Sequence, residues 1–201
     1  MENPIAIVRV TAFLRYLELE KNSSLLTIQN YETDIRLFIA FLQNRVGTVT
    51  WENVTVLDIR AYLALMNNEK YARRTIARRI SSLRSFYRFL MRENFAKSNP
   101  FMKIKTPKLD KKLPVFLEEV EINGLLELPS KDELGLRDQA LFELLYATGC
   151  RVSELVGLTL EHIDLGNQYV LLLGKGNKER IVPIGGAAVK AVDTYLPKPG
   201  R

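Results

Sequence analysis

The chain has 201 residues, of which 47% are apolar and 26% are charged, the composition of a folded globular protein. This excludes disordered, collagen-like and disulfide-scaffold chains, and no stretch approaches the ~18 continuous apolar residues of a membrane span. The start lacks the basic and then apolar pattern of a signal peptide, and the single cysteine, Cys150, suits a reducing compartment. These features predict a cytoplasmic protein that does not associate with membranes.

Charge is distributed unevenly along the chain, whose formal net charge is +6. Residues 1–112 carry 20 Lys and Arg against 10 Asp and Glu, a net charge of +10, whereas residues 113–201 carry 9 against 13, a net charge of −4. Small domains can differ in charge by chance. A basic module joined to an acidic one nevertheless favours a polyanion such as nucleic acid as the ligand of the first half.

Hydrophobic periodicity predicts that the first half is helical. Apolar residues recur at spacings of three and four, and Thr55 with Asp58 forms an expected N-terminal capping pair. Short connections between the helices favour a compact four-helix domain over residues 1–97. The predicted helices cover about residues 7–21, 27–44, 55–66 and 73–93.

Residues 98–114 contain three prolines and five lysines, among them Lys103 and Lys105. Proline cannot continue a helix and lysine keeps a segment solvated, so the stretch is predicted to be an extended linker between two domains. A solvated linker would by itself explain this composition. A basic linker can in addition lie along a phosphate backbone.

The second half, residues 115–201, mixes predicted helices with a β-hairpin. Gly149 is expected to end a strongly apolar helix, and residues of strand character on either side of Gly174–Asn177 predict two antiparallel strands. The chain is therefore predicted to be mainly α, with a smaller α+β part. The expected helices cover about residues 118–126, 136–148, 152–158 and 185–195, and the expected strands cover about 169–173 and 179–184.

The fourth predicted helix has one strongly basic face, opposite a narrow apolar stripe. Glu93 is the only acid between Lys70 and Asn94, so the arginines of this face have no acid at helical spacing to neutralise them. A solvated polar face is the usual reason for such charge, but an uncompensated arginine column mixed with serines favours a helix in the DNA major groove. Arg79 departs from the scheme, because it falls among the apolar positions. The face comprises Arg74, Arg78, Ser81, Ser85, Arg88 and Arg92.

Two short runs in the second half carry residues suited to phosphate chemistry. In Ala147–Leu155, ATGCRVSEL, an arginine lies between the end of one helix and the start of the next, where its fork can bind a phosphate. In Gly174–Arg180, GKGNKER, a lysine at a hairpin tip is flanked by glycines, which let the backbone approach a ligand closely. The second run is not a nucleotide P-loop, because G-x-x-x-x-G-K-[ST] does not occur. Each run alone is also explained by an ordinary helix junction or glycine turn.

Together, and following a basic helical domain and a proline–lysine linker, these runs make the chain resemble the tyrosine recombinases of the phage integrase family, in particular the Xer-like members. The resemblance covers essentially the whole chain. It implies a four-helix, SAM-like core-binding domain followed by the first part of an α+β catalytic domain. Further matching runs are TIQNY at Thr27–Tyr31, IARRI at Ile76–Ile80, LRSFYRFL at Leu83–Leu90 and SNP at Ser98–Pro100.

The resemblance implies a site-specific recombinase that cuts and rejoins DNA strands through a phosphotyrosine intermediate, without a metal or cofactor. Arg151 would grip the scissile phosphate, Lys175 would protonate the leaving 5′ oxygen, and Glu154 would support the geometry of the site. The first domain would close over duplex DNA, and further protomers would assemble on it in a tetrameric synapse. The expected DNA contacts are Arg74, Arg78, Ser81, Arg84, Arg88, Thr27, Lys103 and Lys105.

The chain departs from the family pattern after Lys175. The family completes its site with a His-x-x-Arg pair, a further His or Trp and a nucleophilic tyrosine, whereas the single histidine, His162, precedes the lysine, and Tyr195 lies too early to be the nucleophile. The 201 residues are therefore expected to be a truncated recombinase that binds DNA but does not cleave it. Two other functions stay open: a non-catalytic DNA-binding regulatory protein derived from a recombinase, and a helical module whose basic face binds an acidic partner.

Overall fold

The structure is a computed structural model of the chain, which divides into two compact units, Met1–Lys112 and Leu113–Arg201. Within the described part of the chain, no helix is long and apolar enough to cross a membrane. The described residues are 4–47, 49–109, 113, 115–174, 176 and 178–196.

Four α-helices make up most of the first unit, as the periodicity predicts. The Ser24 hydroxyl accepts a hydrogen bond from the Thr27 amide at the start of the second helix. The capping pair of Thr55 and Asp58 is confirmed, because each side chain accepts from the backbone amide of the other. These caps satisfy amides that a first helical turn leaves unpaired. The elements are α1 Pro4–Leu19, α2 Leu25–Val46, α3 Val56–Asn68 and α4 Arg73–Arg92, followed by a 3-10 helix at Pro100–Lys103.

Aromatic side chains form the centre of the first unit. Phe13 packs against Phe86 with ring centroids 5.2 Å apart, and Phe86 meets Trp51 edge-on at 4.8 Å. The hydroxyl of the buried Tyr87 donates a 3.0 Å hydrogen bond to the Trp51 carbonyl, so the polar end of this ring is satisfied inside the core. The core thereby ties α1 and α4 to the loop before α3, and only one side of α4 is left open to solvent.

The beginning of the predicted linker contributes to this core. Phe101 is completely buried, Ile104 is 8% exposed, and the Asn99 side chain caps the 3-10 helix by accepting from the Phe101 amide. Lys103 and Lys105, between and beside these apolar residues, are exposed. The extended conformation predicted for 98–114 therefore does not hold for its first part, because two apolar side chains anchor it to the helices.

The second unit combines helices with a small antiparallel sheet in the order β1-β2-β3. The predicted hairpin is confirmed, with a register that runs from Tyr169 opposite Pro183 to Gly174 opposite Lys178. The strand β1 is not predicted from the sequence, because two residues are too few to show an alternation of apolar and polar positions. The elements are α5 Glu119–Glu127, α6 Glu133–Thr148, α7 Val152–Val156, a 3-10 helix at Leu160–His162, β1 Ile163–Asp164, β2 Tyr169–Gly174, β3 Lys178–Pro183 and α8 Gly186–Tyr195.

A smaller apolar core holds the second unit together. Val170 and Leu172 lie on one face of β2 and are at most 1% exposed. Leu144 of α6 and Val192 of α8 belong to the same cluster, and Leu155 brings α7 into it. The short helix that follows Arg151 is therefore fixed to the sheet and to α6 by apolar packing.

Candidate functional site

The basic face of α4 includes an exposed stripe. Arg74, Ser81 and Arg88 are exposed and lie seven residues apart, about two helical turns, so they follow one another along one side of the helix. The side chains of Arg74 and Arg88 have no hydrogen bond or ion pair with another described residue. Their guanidinium groups are therefore accessible to an anionic ligand.

Arg78, on the same face, is paired. Its Nη1 donates a 2.6 Å hydrogen bond to the completely buried Asp34 carboxylate of α2, and Ser82 Oγ donates to the same oxygen at 3.0 Å. Burial raises the pKa of the Asp34 carboxyl above its ordinary value, although the bonds from Arg78 and Ser82 oppose the shift. The prediction of an uncompensated arginine column is therefore wrong at Arg78, because its acid comes from another helix.

Two further arginines of α4 take part in packing. Arg92 binds Glu20, the residue after α1, through Nη1 at 3.0 Å and the adjacent Glu93 through Nε at 2.9 Å. Arg79, which the sequence places among apolar positions, is 7% exposed, and its Cζ lies 4.2 Å from the centre of the Tyr71 ring. The arginine column is thus also compensated at Arg92, where the acids that follow α1 and α4 supply the negative charge.

Arg84 binds the segment after α4. Its Nη2 donates to the carbonyls of Ile104 at 2.9 Å and Phe101 at 3.3 Å, and Asn99 Nδ2 donates to the Arg84 carbonyl at 3.1 Å. A guanidinium can donate to two carbonyls at once, and the Phe101 carbonyl also accepts from the Ile104 amide at 3.2 Å. Arg84 therefore fixes the segment with the exposed lysines beside α4.

Thr27, the remaining expected DNA contact, lies half-buried in the first turn of α2. Its Oγ1 is 2.9 Å from the Ser24 hydroxyl, so it takes part in the helix cap. One turn later the Asn30 carbonyl accepts from Arg78 Nη1 at 3.4 Å. The start of α2 thus lies beside the basic face of α4.

Arg151 lies in the junction between α6 and α7. Gly149 ends α6 with φ +57°, a left-handed conformation that suits glycine, and its amide donates to the Leu145 carbonyl at 2.9 Å. The predicted C-terminal glycine is thereby confirmed. Cys150 is buried beside it, and Arg151 is the N-cap residue of α7. The turn leaves 72% of the Arg151 side chain exposed.

A buried carboxylate lies at the centre of this junction. The Glu154 side chain is 3% exposed and accepts from Arg151 twice, from the backbone amide to Oε2 at 2.9 Å and from Nη1 to Oε1 at 2.8 Å. Arg180 of β3 donates from Nη1 to Oε1 at 3.0 Å and from Nη2 to Oε2 at 2.6 Å. The hydrogen bond from Arg180, and next that from the Arg151 amide, lower the pKa of Glu154 to about 2. Glu154 is therefore ionised at neutral pH, and two guanidinium groups around one carboxylate leave a net charge of +1.

Arg180 is the residue of this site that sequence reasoning missed. It belongs to the GKGNKER run, but a strand arginine is ordinarily read as a solvated position. Gly174 at the end of β2 lies next to this ion pair. A Cβ at Gly174 would lie 3.4 Å from Glu154 Oε1 and 3.5 Å from Arg180 Nη1. The hairpin and α7 therefore meet at the Glu154 carboxylate, an arrangement that the linear pattern does not contain.

Lys175, the expected general acid, lies outside the described residues, as does Asn177. Its neighbours are described: Gly174 ends β2, Gly176 has φ +76°, and Lys178 begins β3. The strand end that precedes Lys175 therefore lies against Glu154, while the role of the lysine stays a prediction.

His162, the single histidine, takes part in a local cap. Its Nδ1, assigned as the acceptor, lies 3.4 Å from the Thr159 amide and 3.1 Å from the Thr159 hydroxyl. The side chain is half-buried at the end of a 3-10 helix. This geometry supports a packing role for His162 and gives no reason to include His162 in the Arg151 site.

Two family models match the chain: phage integrase, N-terminal SAM-like domain, over residues 10–94, and phage integrase family, over residues 115–199. Curated relatives named tyrosine recombinase XerC are similar across most of the chain. That of Halalkalibacterium halodurans is 47% identical over 188 residues, which cover 93% of this chain and 62% of the relative. That of Pelotomaculum thermopropionicum is 42% identical over 196 residues, which cover 95% of this chain and 64% of the relative. The chain thus spans about three fifths of the length of these relatives.

Solved structures of lower identity share the fold. The XerH site-specific recombinase bound to palindromic difH substrate, a post-cleavage complex, has a TM-score of 0.73 at 18% identity, over 98% of this chain and 70% of that one. A lambda integrase dimer bound to a COC′ core site has a TM-score of 0.69 at 17% identity, over 93% of this chain and 67% of that one. The family and sequence matches together show that this chain belongs to the phage integrase family, the tyrosine recombinases, and is similar to its Xer-type members.

Proposed function

We propose that this chain is the DNA-binding and phosphate-gripping part of a site-specific recombinase, which in complete form cuts and rejoins DNA strands through a phosphotyrosine intermediate. The observation that carries the proposal is the exposed Arg151 guanidinium, anchored on the buried Glu154 carboxylate. Because Glu154 neutralises only one of the two arginines that contact it, the site keeps a positive charge at the surface. A DNA phosphate is a ligand of matching charge and geometry.

The chemistry of strand transfer needs such a group. Transfer of a phosphodiester to a tyrosine builds negative charge on the non-bridging oxygens, and a guanidinium already held in place stabilises that charge without reorganising. Arg151 is held through its amide and Nη1, which leaves its other side-chain N–H groups for a phosphate. Lys175 would give a proton to the leaving 5′ oxygen. Glu154, with a pKa of about 2, would hold the arginine and not transfer a proton at neutral pH.

The first unit would bind the duplex in the same complex. Arg74, Ser81 and Arg88 on the exposed stripe would contact phosphates and base edges, with the partly exposed Arg78 and the lysines at 103 and 105 beside them. Thr27 and Arg84 would act at the margin of this surface. The DNA-bound XerH and lambda integrase structures, which share the fold, support duplex DNA as the partner. Further protomers in a tetrameric synapse would complete the assembly. A cytoplasmic location, which the single cysteine favours, would give the protein access to DNA.

DNA binding is tested with the 201-residue chain and a short fluorescein-labelled duplex, by fluorescence anisotropy at increasing salt. We expect the association constant to fall steeply with salt, with a log–log slope of about −0.9 for each phosphate bound. An acidic polypeptide of equal charge serves as a competitor control and should displace the duplex only at large excess. No binding at low salt would overturn the DNA-binding part of the proposal.

The recombinase part is tested with an extended chain, in which residues 1–196 are followed by the remaining segment of the Halalkalibacterium halodurans XerC relative. The extended chain is incubated with a nicked duplex that carries the recombination site of that relative, and covalent protein–DNA adducts are counted on a denaturing gel. We expect adducts with the extended chain and almost none with its Arg151→Ala variant. Equal adduct formation by both would contradict the phosphate grip.

A further inference from the structure

Arg180 binds the Glu154 carboxylate as a two-pronged fork, and this contact has a consequence for Arg151. We propose that Arg180 is a positioning residue for Arg151: by binding both oxygens of Glu154 it fixes the carboxylate on which Arg151 is oriented, and it couples the β2–β3 hairpin to the start of α7. The purpose of this positioning rests on the proposed function, whereas the coupling itself does not.

A glutamate carboxylate has little torsional preference of its own. Rotation about the last side-chain bond of glutamate has no sharp staggered minima, so the plane of its two oxygens must be set by hydrogen bonds. In Glu154 each oxygen accepts one bond from Arg180 and one from Arg151. A rotation of the carboxylate would therefore break both bonds to Arg151. Among the described residues, Arg180 alone binds both oxygens through one rigid planar group, so we assign the orientation of the carboxylate to it.

The strand register explains why an arginine occupies this position. Arg180 lies opposite Leu172 in the antiparallel ladder, and residues directly opposite each other share a face of the sheet. Leu172 is 1% exposed, so Arg180 begins on the inner face, towards the core that also holds α7. A guanidinium there would be costly without a partner. The buried Glu154 supplies that partner, and the pair thereby joins the sheet to the helix that follows Arg151.

The same pair lies against the strand end that leads to the hairpin tip. A Cβ at Gly174 would lie within 3.5 Å of both Glu154 Oε1 and Arg180 Nη1, so the backbone of β2 passes directly beside the ion pair. Displacing Arg180 would free the carboxylate and remove one contact of this strand end, whose backbone stays paired with Lys178. The two runs that carry the proposed phosphate chemistry therefore meet at this ion pair, in addition to the apolar packing of α7 against the sheet.

Arg180 is not placed to bind the phosphate in the way proposed for Arg151. Both of its terminal nitrogens are bonded to Glu154, and its side chain is 39% exposed against 72% for Arg151. Glu154 engages two of its five N–H groups and fixes the plane of its guanidinium along the carboxylate, away from the freedom that Arg151 has to meet an anion. We therefore assign its effect on a ligand to its contact with Glu154.

The test compares the 201-residue chain, without DNA, with its Arg180→Gln and Arg180→Lys variants. NMR titration of the Glu154 carboxyl carbon gives its pKa, and hydrogen exchange reports how firmly the Arg151 amide is held. In both variants we expect the pKa of Glu154 to rise towards the ordinary glutamate value of 4.5 and the Arg151 amide to exchange about tenfold faster or more. Lysine should not rescue either property, because an ammonium group cannot bind both oxygens in one plane.

The matched control is Lys190→Gln, which removes the same charge from an exposed residue of α8 and should change neither property. Protection of the Val170 and Val192 amides shows that the second unit remains folded. If Arg180→Gln loses this protection, the Glu154 pKa and the Arg151 amide exchange of the Arg180→Lys variant test the positioning role instead. Loss of protection in both variants would make Arg180 a folding residue and would overturn the positioning role, as would an unchanged Glu154 pKa and Arg151 amide in a folded variant.

Inorganic sulfate, as a probe for phosphate, separates this proposal from the proposed function. We expect sulfate to shift the Arg151 Nε–H signal in the native chain and to shift it less in both Arg180 variants. A native signal that does not respond would count against the phosphate grip, while the Glu154 pKa and the Arg151 amide would still decide the positioning role. If the native signal does respond and both variants respond equally, the proposal is overturned.

Discussion

Arg78 and Asp34 join α4 to α2 through a 2.6 Å ion pair, in which the acid is completely buried and the arginine side chain is 38% exposed. Arg78 therefore makes a structural contact while part of its side chain stays exposed on the basic face. The face is not a uniform row of free cations, since its accessible charge is concentrated at Arg74 and Arg88. Substitutions along α4 should consequently separate into those that change folding and those that change ligand binding.

Replacing Arg78 with Gln should destabilise the first unit by about 1–3 kcal/mol, because the buried Asp34 carboxylate loses its shortest hydrogen bond. Urea unfolding followed by Trp51 fluorescence measures this change. The double variant with Asp34→Asn should lose less than the sum of the two single changes, since both remove one interaction. Strict additivity would show that the pair does not contribute to stability.

Replacing both Arg74 and Arg88 with Gln should weaken duplex binding and leave folding unchanged. Both side chains are exposed, so the free energy of unfolding should change by less than about 0.5 kcal/mol. The slope of binding against salt should become shallower by about 0.9 for each phosphate that the variant no longer binds. Fluorescence anisotropy over a salt series gives the slope.

The matched control for this pair is Arg15→Gln with Arg60→Gln, two exposed arginines on α1 and α3. It removes the same charge from other surfaces of the unit. An equal loss of affinity in the control would mean that net charge, and not the α4 stripe, determines binding.

Replacing Arg84 with Gln should loosen the segment after α4. The Ile104 and Phe101 carbonyls would lose their shared donor, at a cost of about 1–3 kcal/mol, and lysine should restore little because it cannot donate to both in one plane. Hydrogen exchange of the Ile104 amide and urea unfolding check this. DNA affinity that falls while exchange and stability stay native would instead make Arg84 a direct ligand contact.

The local features of the fold were predictable from sequence because each depends on residues close together in the chain. The capping pair at Thr55, the left-handed Gly149 and the hairpin around Gly174 follow from short-range spacing and turn chemistry. Helical periodicity likewise identifies which face of α4 is polar. It does not identify what lies opposite that face.

The contacts that define the site depend on partners distant in sequence. Asp34 is 44 residues from Arg78, and Glu154 is 26 residues from Arg180, so neither pairing is visible before helices and strands are packed. The 3-10 helix at Pro100–Lys103 is not predicted, because the prolines and lysines of residues 98–114 indicate a linker. Burial of Phe101 outweighs that local preference.

Acid should remove the contribution of Glu154 to the stability of the second unit. The hydrogen bonds from Arg180 and Arg151 hold its pKa at about 2, below the ordinary value of 4.5. The folded state therefore binds this proton less tightly than the unfolded state, so the stabilisation is complete above the ordinary value and is lost as the pH falls towards 2. Amide exchange at Val170 and Val192, measured for the native chain and Glu154→Gln, reports this unit alone.

The difference in stability between the native chain and Glu154→Gln should shrink as the pH falls below about 5. Glutamine cannot ionise, so the variant provides a baseline without this titration. A difference that stays constant down to low pH would contradict the assignment of the acid sensitivity to Glu154.

Arg151 and Lys175 should respond differently when the leaving group is changed in the extended chain. Arg151 would stabilise charge on non-bridging oxygens, whereas Lys175 would give a proton to a poor leaving group, the 5′ alkoxide. A 5′-bridging phosphorothiolate replaces that oxygen with sulfur, whose thiolate leaves without protonation. The Lys175→Ala variant should therefore cleave slowly on the normal duplex and recover on the phosphorothiolate, while Arg151→Ala should gain much less.

Arg151→Lys serves as the second comparison for this experiment, because it keeps the charge and removes the planar fork. It should resemble Arg151→Ala on both substrates, since a single ammonium group cannot bind Glu154 and a phosphate in the same plane. Adduct formation is measured as a rate on each substrate, and the ratio of the two rates isolates the proton-transfer step from DNA affinity. Equal recovery of Arg151→Ala and Lys175→Ala on the sulfur substrate would contradict the division of roles, because it would place both residues on the leaving group.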